Sequence, residues 1–361
     1  MSSGFSAFDH AMMQRALELA AKGLCTTTPN PRVGCVVTKG RKILGEGWHE
    51  IAGGPHAEVV ALNARKDLPA GTTLYVNLEP CNHHGRTPPC VDLILQKKVG
   101  RVVAGMLDPN PQAARGGTRL LASGVRFEYG LLAEEARELN IGFVSRVARG
   151  RPWVRMKIAA TLDGRTALGA GSGANAGKSQ WITGAEARKD GHRWRARACA
   201  ILTGAGTVRA DDPRLTVRDV ETPRQPLRVI ADSHLETPPQ AKILQGEKVL
   251  IFAGRSGSVP NAEVVALKNS QGKVDLPAML QELGRRGINE LHVEAGAKLN
   301  GSLVREGCVD EFLIYLNPSL LGDSAQGMVN LPAMLALEER VALKIASVDR
   351  VGDDIRIVAR A

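Results

Sequence analysis

Four residues in the first part of the chain have the types and spacing of a catalytic metal site. His56 and Glu58 lie in a His-Ala-Glu string, Cys81 follows a proline, and Cys90 comes nine residues later. One imidazole and two thiolates suit Zn²⁺, and three protein ligands leave a fourth tetrahedral position open for a water that the metal can acidify. Glu58 can carry protons between that water and a leaving amine. The pattern predicts one zinc ion per chain and a hydrolysis that releases ammonia.

The spacing of the two cysteines departs from a common motif. Zinc-dependent nucleobase deaminases usually close their site with Pro-Cys-x-x-Cys. Here eight residues, NHHGRTPP, separate Cys81 from Cys90. That loop contains His83, His84 and Arg86, which could bind the metal, contact the substrate or be solvated. Because three protein ligands already suffice for a catalytic zinc site, metal binding by this loop is the least favoured of the three.

Short strands and helices are expected to hold the metal-binding residues. The proline in GGPHAEVVAL suits the first turn of a helix, which puts His56 and Glu58 at a helix N-terminus. The string TTLYVNLEP predicts a strand that ends at Cys81, and the next pair of prolines opens a helix that carries Cys90. The positive end of a helix dipole stabilises thiolates, so this arrangement favours the ionised cysteines that zinc needs.

The alternation of strands and helices predicts α/β layers in both halves of the chain. It begins with a helix for which Ser6 and Asp9 predict a capping box. The polar string RVARGRP, near residues 146–152, interrupts the pattern, which restarts at WVRMKIAATLDG. A chain of 361 residues is also long for one domain. We therefore predict two three-layer α/β domains, residues 1–147 and 148–361.

Two glycine-rich turns in the second half are candidate phosphate-binding loops. Gly204-Ala205-Gly206 follows a predicted strand, but Arg209 stands where GxGxxG requires its third glycine. The string from Gly296 to Ser302 has the glycine spacing of a P-loop but lacks the lysine after the second glycine. Both are therefore predicted to be strand-to-helix turns, whose backbone N–H groups can still bind the phosphates of a dinucleotide.

Composition and charge limit the class of protein. The chain is 43% hydrophobic and 23% charged, and six cysteines are too few for a disulfide scaffold. No stretch reaches the roughly 18 to 20 apolar residues of a membrane span, and the N-terminus lacks the pattern of a signal peptide. We expect a cytoplasmic protein that does not contact membranes. The net charge of +10 would attract nucleic acid, a phosphorylated metabolite or a phosphate-rich cofactor.

Three alternatives stay open on these observations. A nucleic-acid or nucleotide deaminase with a basic accessory domain fits the metal motif and the charge. An aromatic content of 4%, however, offers few stacking platforms for bases, so we expect no nucleic-acid partner. A zinc-stabilised sensor or scaffold also fits, although it leaves Glu58 without a purpose. In the third, one half of the chain is catalytically silent.

Three strings around the predicted zinc site carry a family resemblance: TPNPRVGCVV, GGPHAEVVAL and LEPCNHHGRTPPC. They resemble the deaminase half of the bifunctional deaminase-reductase family of riboflavin biosynthesis, in which a long loop between the cysteines is normal. The resemblance implies a cytidine-deaminase-like first domain. It also implies a pyrimidinone substrate with a ribosylamino 5′-phosphate, from which the 2-amino group is hydrolysed, and it places Asn30, His49 and Arg86 against that substrate. Asn30 offers an amide to a base edge or sugar hydroxyl, and Arg86 offers a fork to phosphate.

The second half resembles the reductase of the same family in the strings MKIAATLDGRTAL, KSQWITG, ILTGAGTVRADDPRLTVR and HVEAGAKLNGSL. This resemblance implies a dihydrofolate-reductase-like domain that uses NADPH to reduce ribose C1′ and open the sugar ring. It also implies a homo-oligomer, a dimer or tetramer, formed through the reductase half. The segment between Leu168 and Ser179 is longer than is usual for the family, and its Gly/Ala/Ser content predicts a mobile loop.

The family pattern also implies the residues of the reductase site. The predicted NADPH contacts are Ala159, Trp181, Thr207, Asp211, Ser233, Gly296, Ala297, Lys298, Leu299, Asn300, Gly301 and Ser302. The predicted substrate contacts are Ser179, Arg195, Leu215, Arg218 and Glu294, of which the two arginines suit a 5′-phosphate. The ionisable candidates for proton delivery during ring opening are Lys157, Asp211 and Glu294, and the sequence does not rank them.

Overall fold

The computed structural model describes residues 4–85, 88–169, 181–247 and 249–361. The chain forms two compact units, one ending at Gly150 and the other beginning at Arg151. Arg86, Ser179 and all but the first residue of the glycine-rich segment 169–178 lie outside the described residues. None of the described helices is long and apolar enough to cross a membrane.

The first unit is built around a five-stranded sheet with the strand order β2-β1-β3-β4-β5. β1 pairs antiparallel with β2 and β3, whereas β3, β4 and β5 are parallel. The elements are α1 (Ala7–Ala21), β1 (Gly34–Lys39), β2 (Lys42–Trp48), α2 (Ala57–Asn63), β3 (Thr73–Leu78), α3 (Cys90–Gln96), β4 (Arg101–Met106), α4 (Gly116–Ala122), β5 (Arg126–Tyr129), α5 (Ala133–Leu139) and α6 (Ile141–Arg149).

Helices cover both faces of this sheet, because successive strand residues point to opposite sides. Cys35 and Val37 of β1 face the cluster that contains α2, α3 and α4, whereas Val36 packs with Met13 and Ala16 of α1. The predicted capping box is present, since the Ser6 hydroxyl accepts the Asp9 N–H and the Asp9 carboxylate accepts the Ser6 N–H. The three-layer architecture predicted for the first half is confirmed.

The second unit contains a nine-stranded sheet with the order β11-β10-β9-β8-β12-β6-β13-β16-β15. Its strands are parallel from β11 to β13, and only β16 and β15 are antiparallel to their neighbours. The elements are β6 (Trp153–Thr161), β7 (Arg165–Ala167), α7 (Ala185–Arg197), β8 (Ala200–Gly204), α8 (Ala205–Asp211), β9 (Leu227–Ala231), β10 (Val249–Ala253), β11 (Ala262–Ala266), α9 (Leu276–Arg285), β12 (Glu290–Val293), α10 (Ala297–Arg305), β13 (Glu311–Asn317), β14 (Gln326–Gly327), β15 (Lys344–Val351) and β16 (Asp354–Arg360).

Helices cover both faces of the second sheet as well. Leu280 of α9 and Leu303 of α10 belong to the larger apolar core on one face. On the other face, Val208 of α8 packs in one cluster and Ala187 of α7 in another. Because the strands from β11 to β13 are parallel, their carboxyl ends lie at one edge of the sheet, where the strand-to-helix turns come together. Ligands bind at this edge in open α/β sheets.

Candidate active sites

The three predicted metal ligands converge in the first unit. His56 immediately precedes α2, Cys81 follows β3, and Cys90 is the first residue of α3. The His56 Nδ1 lies 3.2 Å from the Cys90 Sγ and 3.5 Å from the Cys81 Sγ. Zinc–nitrogen and zinc–sulfur bonds of about 2.1 and 2.3 Å put tetrahedral ligand atoms roughly 3.5 Å apart. The donor set and its spacing therefore fit one Zn²⁺ ion.

The two histidines in the loop between Cys81 and Cys90 are not part of this group of metal ligands. Within the described ranges, the metal-competent cluster consists of His56, Cys81 and Cys90, whose ligand atoms all lie within 4.8 Å of one another. His83 and His84 do not join it. The geometry agrees with a three-ligand catalytic site that keeps one position for a reactant.

Hydrogen bonds from α3 favour an ionised thiolate at Cys81. The Cys90 backbone N–H, at the start of α3, donates to the Cys81 Sγ over 3.3 Å. The Cys90 thiol, the His56 ring and this backbone N–H together lower the pKa of Cys81 to about 4, against the opposing effect of burial. The start of α3 thus stabilises a thiolate at Cys81, whereas the hydrogen bond to Cys81 and burial raise the pKa of Cys90, the cysteine that the helix itself carries.

Glu58 is placed for proton transfer beside the three ligands. It is the second residue of α2, and its side chain is only 4% exposed. Burial, with a smaller contribution from the negative charge of Cys81, raises the pKa of Glu58 to about 7. A carboxyl group with a pKa near the working pH can both accept and return a proton.

His49 and Asn30, both predicted to contact substrate, contact each other. The Asn30 Nδ2 lies 3.0 Å from the His49 Nε2, and the His49 Nδ1 lies 2.9 Å from the Pro55 carbonyl oxygen. Burial lowers the pKa of His49. A neutral ring that donates from Nδ1 to Pro55 and accepts the Asn30 amide at Nε2 satisfies both contacts. His49 is thus placed to orient Asn30, whose carboxamide oxygen is not used in this contact.

Two acidic residues near the metal ligands were not predicted from the sequence. Glu79, only 6% exposed, accepts the backbone N–H groups of Asp108 (3.1 Å) and Gly117 (2.9 Å). Burial raises the pKa of Asp108 to about 6, and the charges of Glu79 and Cys81 add to this shift. No local signal marks these residues: Cys81 and Asp108 lie at the same edge of the sheet because β3 and β4 are adjacent and parallel, and neither segment alone specifies that pairing.

Replacing Cys81 by serine is expected to lower the zinc content well below one ion per chain, because a hydroxyl is a much poorer ligand than a thiolate. Metal analysis of the purified protein measures this. The matched control is Cys25→Ser, which changes a partly exposed cysteine outside the cluster and should leave the zinc content unchanged. An unaltered zinc content in Cys81→Ser would remove Cys81 from the ligand set.

The second unit contains a large cavity at the carboxyl edge of its sheet. Its volume is about 1820 Å³, larger than the roughly 300–1,000 Å³ of an ordinary small-molecule pocket, so it has room for two ligands. It brings together most residues of the predicted reductase site: Lys157, Ala159, Trp181, Arg195, Thr207, Asp211, Leu215, Arg218, Ser233, Glu294, Gly296, Ala297, Lys298, Leu299 and Asn300.

The end of the predicted Gly296–Ser302 segment lies away from the cavity lining. Gly301 and Ser302 are inside α10 and do not line it. A Cβ at Gly301 would lie 2.0 Å from the Asn330 carbonyl oxygen, so glycine is required there for packing. Gly296, at the start of the segment, does line the cavity. It donates its N–H to the Thr207 hydroxyl over 3.1 Å and so connects the turn after β12 to the turn after β8. These joined turns fit the phosphates of a dinucleotide.

Arg195, Glu294 and Lys157 form a cluster of charged side chains in the cavity wall. Arg195 makes two hydrogen bonds to the Glu294 carboxylate, one of them 2.8 Å from Nη2 to Oε2, and donates from Nη1 to the Thr216 carbonyl (3.0 Å). Burial raises the pKa of Glu294, but Arg195, with smaller contributions from His292 and Lys157, holds it well below the usual range. Burial and the charge of Arg195 lower the pKa of Lys157, while Glu294 counteracts them.

His192 fixes the loop that carries Arg218, a role that sequence analysis missed. The His192 Nδ1 accepts the Arg218 backbone N–H (3.1 Å), and its Nε2 lies 3.3 Å from the Asp219 carboxylate. Burial lowers the pKa of His192 to about 4, consistent with a neutral ring that accepts at Nδ1 and donates at Nε2. The only available signal was the i, i+3 spacing that puts His192 and Arg195 on one face of α7.

Comparison with known proteins identifies both halves. The family model for the cytidine and deoxycytidylate deaminase zinc-binding region matches residues 6–106, and the model for the RibD C-terminal domain matches residues 152–357. The chain is 43% identical to the riboflavin biosynthesis protein RibD of Escherichia coli (strain K12), covering 96% of this chain and 98% of that protein. It is 42% identical to the RibD of Haemophilus influenzae, covering 98% and 97%.

Solved structures agree over almost the full length. The structure of Acinetobacter baumannii RibD, form 1, matches with a TM-score of 0.89 and 38% identity, covering 98% of each chain. A diaminohydroxyphosphoribosylaminopyrimidine deaminase/5-amino-6-(5-phosphoribosylamino)uracil reductase from Thermotoga maritima matches with a TM-score of 0.88 and 34% identity, also covering 98% of each chain.

Proposed function

The chain belongs to the RibD family of bifunctional riboflavin-biosynthesis deaminase-reductases, and we propose that it carries out two successive steps on one phosphorylated pyrimidine. Residues 1–147 hydrolyse the 2-amino group of 2,5-diamino-6-(5-phosphoribosylamino)pyrimidin-4(3H)-one. Residues 148–361 then reduce the ribosyl group of 5-amino-6-(5-phosphoribosylamino)uracil to ribityl. The observation that carries the proposal is the convergence of His56, Cys81 and Cys90 beside a buried Glu58.

In the first step we assign Glu58 to proton transfer. His56, Cys81 and Cys90 would hold Zn²⁺, and the bound metal would supply Lewis-acid activation of water near neutral pH. Glu58 would accept a proton from the attacking water and pass it to a ring nitrogen of the pyrimidinone. It would then take a second proton from the hydroxyl group now bonded to the carbon and deliver it to the departing amine, so that the carbonyl forms as ammonia leaves. Asn30, oriented by His49, offers its carboxamide oxygen to an N–H or hydroxyl group of the substrate. Contact between Arg86 and the phosphate stays a prediction.

In the second step we assign Lys157 to proton delivery. NADPH supplies the hydride that is added to C1′. As the bond between C1′ and the ring oxygen breaks, that oxygen needs a proton. Glu294 is a poor donor because its pKa is held well below the usual range, and Asp211 is an exposed residue at the end of α8. The lowered pKa of Lys157 brings its ammonium group closer to the acidity that proton donation near neutral pH requires.

The 5′-phosphate is assigned to the loop of residues 215–219. Arg218 is exposed on the cavity wall, and its backbone is held by His192. Arg195 faces Glu294 and supports the same loop through the Thr216 carbonyl. Leu215 has a left-handed φ of 50°, which an L residue adopts only where surrounding structure imposes it. We infer that Arg218 binds the phosphate directly and that Arg195 holds Glu294 and the loop in place.

A coupled assay tests the proposed function. When the diaminopyrimidinone ribosyl phosphate is supplied with NADPH, ammonia release is expected to precede NADPH oxidation, with both approaching one equivalent per substrate. Protein freed of zinc should lose ammonia release but still oxidise NADPH when given the deaminated intermediate. Ammonia without NADPH oxidation would contradict the second step, and NADPH oxidation without ammonia would contradict the proposed order.

The proposal includes a homo-oligomer, supported by an apolar surface at the edge of the second unit. β15 is an edge strand of the nine-stranded sheet. Ile345 and Val348 on this strand are 66% and 58% exposed, and Leu335 in the preceding segment is 93% exposed. An edge strand with large exposed apolar side chains is a template for association with another chain. We propose a dimer or tetramer formed through this surface, and a cytoplasmic location stays a prediction.

Replacing Ile345 by glutamate is expected to shift the protein towards monomers, because association would bury an uncompensated charge. Sedimentation velocity over a range of concentrations measures this. Leu121→Glu is the matched control, since Leu121 is an exposed apolar residue of the first unit. A wild-type monomer, or an Ile345→Glu variant that sediments like the wild type, would rule out assembly through β15.

A further inference from the structure

The segment that carries Asn30 is buried just before β1 without forming a helix or strand. Arg32 and Val33 are 5% and 9% exposed, and both precede the first residue of β1. Buried backbone N–H and C=O groups need hydrogen-bond partners, which regular sheet pairing does not supply at Arg32. The position of Asn30 therefore depends on whichever groups hold this backbone.

Two buried asparagines supply these partners. Asn140, at the junction of α5 and α6, is 1% exposed. Its Oδ1 accepts the Arg32 N–H over 2.8 Å, and its Nδ2 donates to the Arg32 carbonyl oxygen over 2.9 Å. Asn77 on β3 donates to the same oxygen over 2.9 Å and accepts the Gly34 N–H over 2.8 Å. The two carboxamides thus serve this segment as a neighbouring strand would.

The helices α5 and α6 hold the segment on both sides of Asn30. The Arg32 Nη1 donates to the Leu139 carbonyl oxygen over 2.6 Å, and Arg146 donates to the Pro29 carbonyl oxygen over 3.1 Å. Leu139 is the last residue of α5, where the carbonyl groups lack intrahelical partners and the helix dipole favours a cation. The grip on residues 29–32 therefore comes from the end of the first unit.

A continuous series of hydrogen bonds connects Asn140 to the deaminase site. After Arg32, the Val33 carbonyl oxygen accepts the His49 N–H over 2.8 Å. The His49 ring in turn contacts the Asn30 side chain. A shift of the backbone at Arg32 would thus displace Asn30 directly and His49 through Val33. The zinc ligands should keep their places, because Asn140 bonds to Arg32 and Ala136 and to none of them.

We propose that Asn140 is a positioning residue of the deaminase, which holds the backbone at Arg32 so that Asn30 meets the substrate. In this assignment α5 and α6 form part of the support of the substrate pocket, in addition to covering the sheet. The inference rests on the proposed function, in which Asn30 contacts the phosphorylated pyrimidine.

Asn140→Leu and Asn140→Asp in the full-length, zinc-loaded protein test the assignment. Leucine has a similar size and loses both hydrogen bonds to Arg32, whereas aspartate keeps the acceptor and loses the donor. Both variants should raise the KM for the diaminopyrimidinone ribosyl phosphate about tenfold or more and change kcat less than about threefold, as expected when a ground-state contact is lost. Zinc content, and NADPH oxidation with the deaminated intermediate, should match the wild type.

The matched control is Thr72→Val, which removes a buried hydrogen bond of the first unit away from this segment. The Thr72 hydroxyl donates to the Pro69 carbonyl oxygen over 2.6 Å, just before β3 begins. This variant should lose stability but keep the wild-type KM. A similar rise of KM in Thr72→Val would show that general loosening of the unit raises KM, and would overturn the role of Asn140.

A double-mutant cycle with Asn30→Ala separates positioning from an independent effect. Asn30→Ala alone should raise the KM, and adding Asn140→Leu should raise it less than about threefold further, because the contact to be positioned is already gone. Additive effects, an unchanged KM in Asn140→Leu, or an unchanged KM in Asn30→Ala would each overturn the inference while leaving the deaminase activity established. A wild-type protein that releases no ammonia would contradict the proposed function itself.

Discussion

Glu58→Gln is expected to retain zinc and lose nearly all ammonia release. The amide cannot accept a proton from water and return it to the departing amine, and general acid-base catalysis of this kind contributes roughly 10²- to 10⁴-fold in rate. The metal should remain because His56, Cys81 and Cys90 form the ligand group without Glu58. Glutamine has nearly the same volume, so the buried site at the start of α2 should keep its packing.

Two measurements make this prediction specific. The zinc content of Glu58→Gln should equal that of the wild type, and the variant should still oxidise NADPH when supplied with the deaminated intermediate. Glu134→Gln, at an exposed position in the first turn of α5, should release ammonia at the wild-type rate. Substantial deamination by zinc-loaded Glu58→Gln would sink the assignment of Glu58 as the proton carrier.

The zinc site could be predicted because its signals are local. Each ligand lies where a strand ends or a helix begins, and prolines mark both helix starts in the sequence. His56 and Glu58 need only the start of α2 to be placed together, since they are two residues apart. The long loop after Cys81 did not prevent the prediction, because the start of α3 returns Cys90 to the end of β3.

The residues that support the sites could not be predicted in this way. Glu79 and Asp108 come together only because β3 and β4 are adjacent and parallel, and nothing local to either segment sets that pairing. His192 holds Arg218 through a contact between α7 and a loop 26 residues further along the chain. Long-range pairing of this kind follows from the whole fold, so hydrophobic periodicity and turn residues do not show it.

The reductase site was predicted mainly through resemblance, and the structure refines what its residues do. Resemblance places Arg195 on the substrate, and this contact stays a prediction; in the structure its guanidinium bonds to Glu294 and the Thr216 carbonyl. Resemblance also places Gly301 on NADPH, which stays a prediction; the approach of the Asn330 carbonyl is a separate, packing reason for a glycine there. A motif can show which segment forms a site, whereas the partner of each side chain depends on elements that are distant in sequence.

Lys157→Met is expected to lower the rate of the reductase by roughly 10²- to 10⁴-fold, the usual contribution of a general acid. Methionine is close to lysine in length and apolar, so the half-buried position on β6 should tolerate it. NADPH binding and ammonia release should persist, which separates loss of the proton donor from loss of folding. Lys189→Met, at an exposed position on α7, is the matched control and should leave both rates unchanged.

The pH dependence of the reductase rate in Glu294→Gln also tests Lys157 as the proton donor, because Glu294 is the carboxylate whose charge raises the pKa of Lys157. Burial and Arg195 lower the pKa of Lys157, and the charge of Glu294 opposes them. Removing that charge, and with it the partner of Arg195, should lower the pKa of Lys157 further. A general acid must be protonated, so the alkaline limb of the reductase pH profile is expected to move to lower pH. An alkaline limb that stays in place or moves upward would show that Lys157 is not the donor.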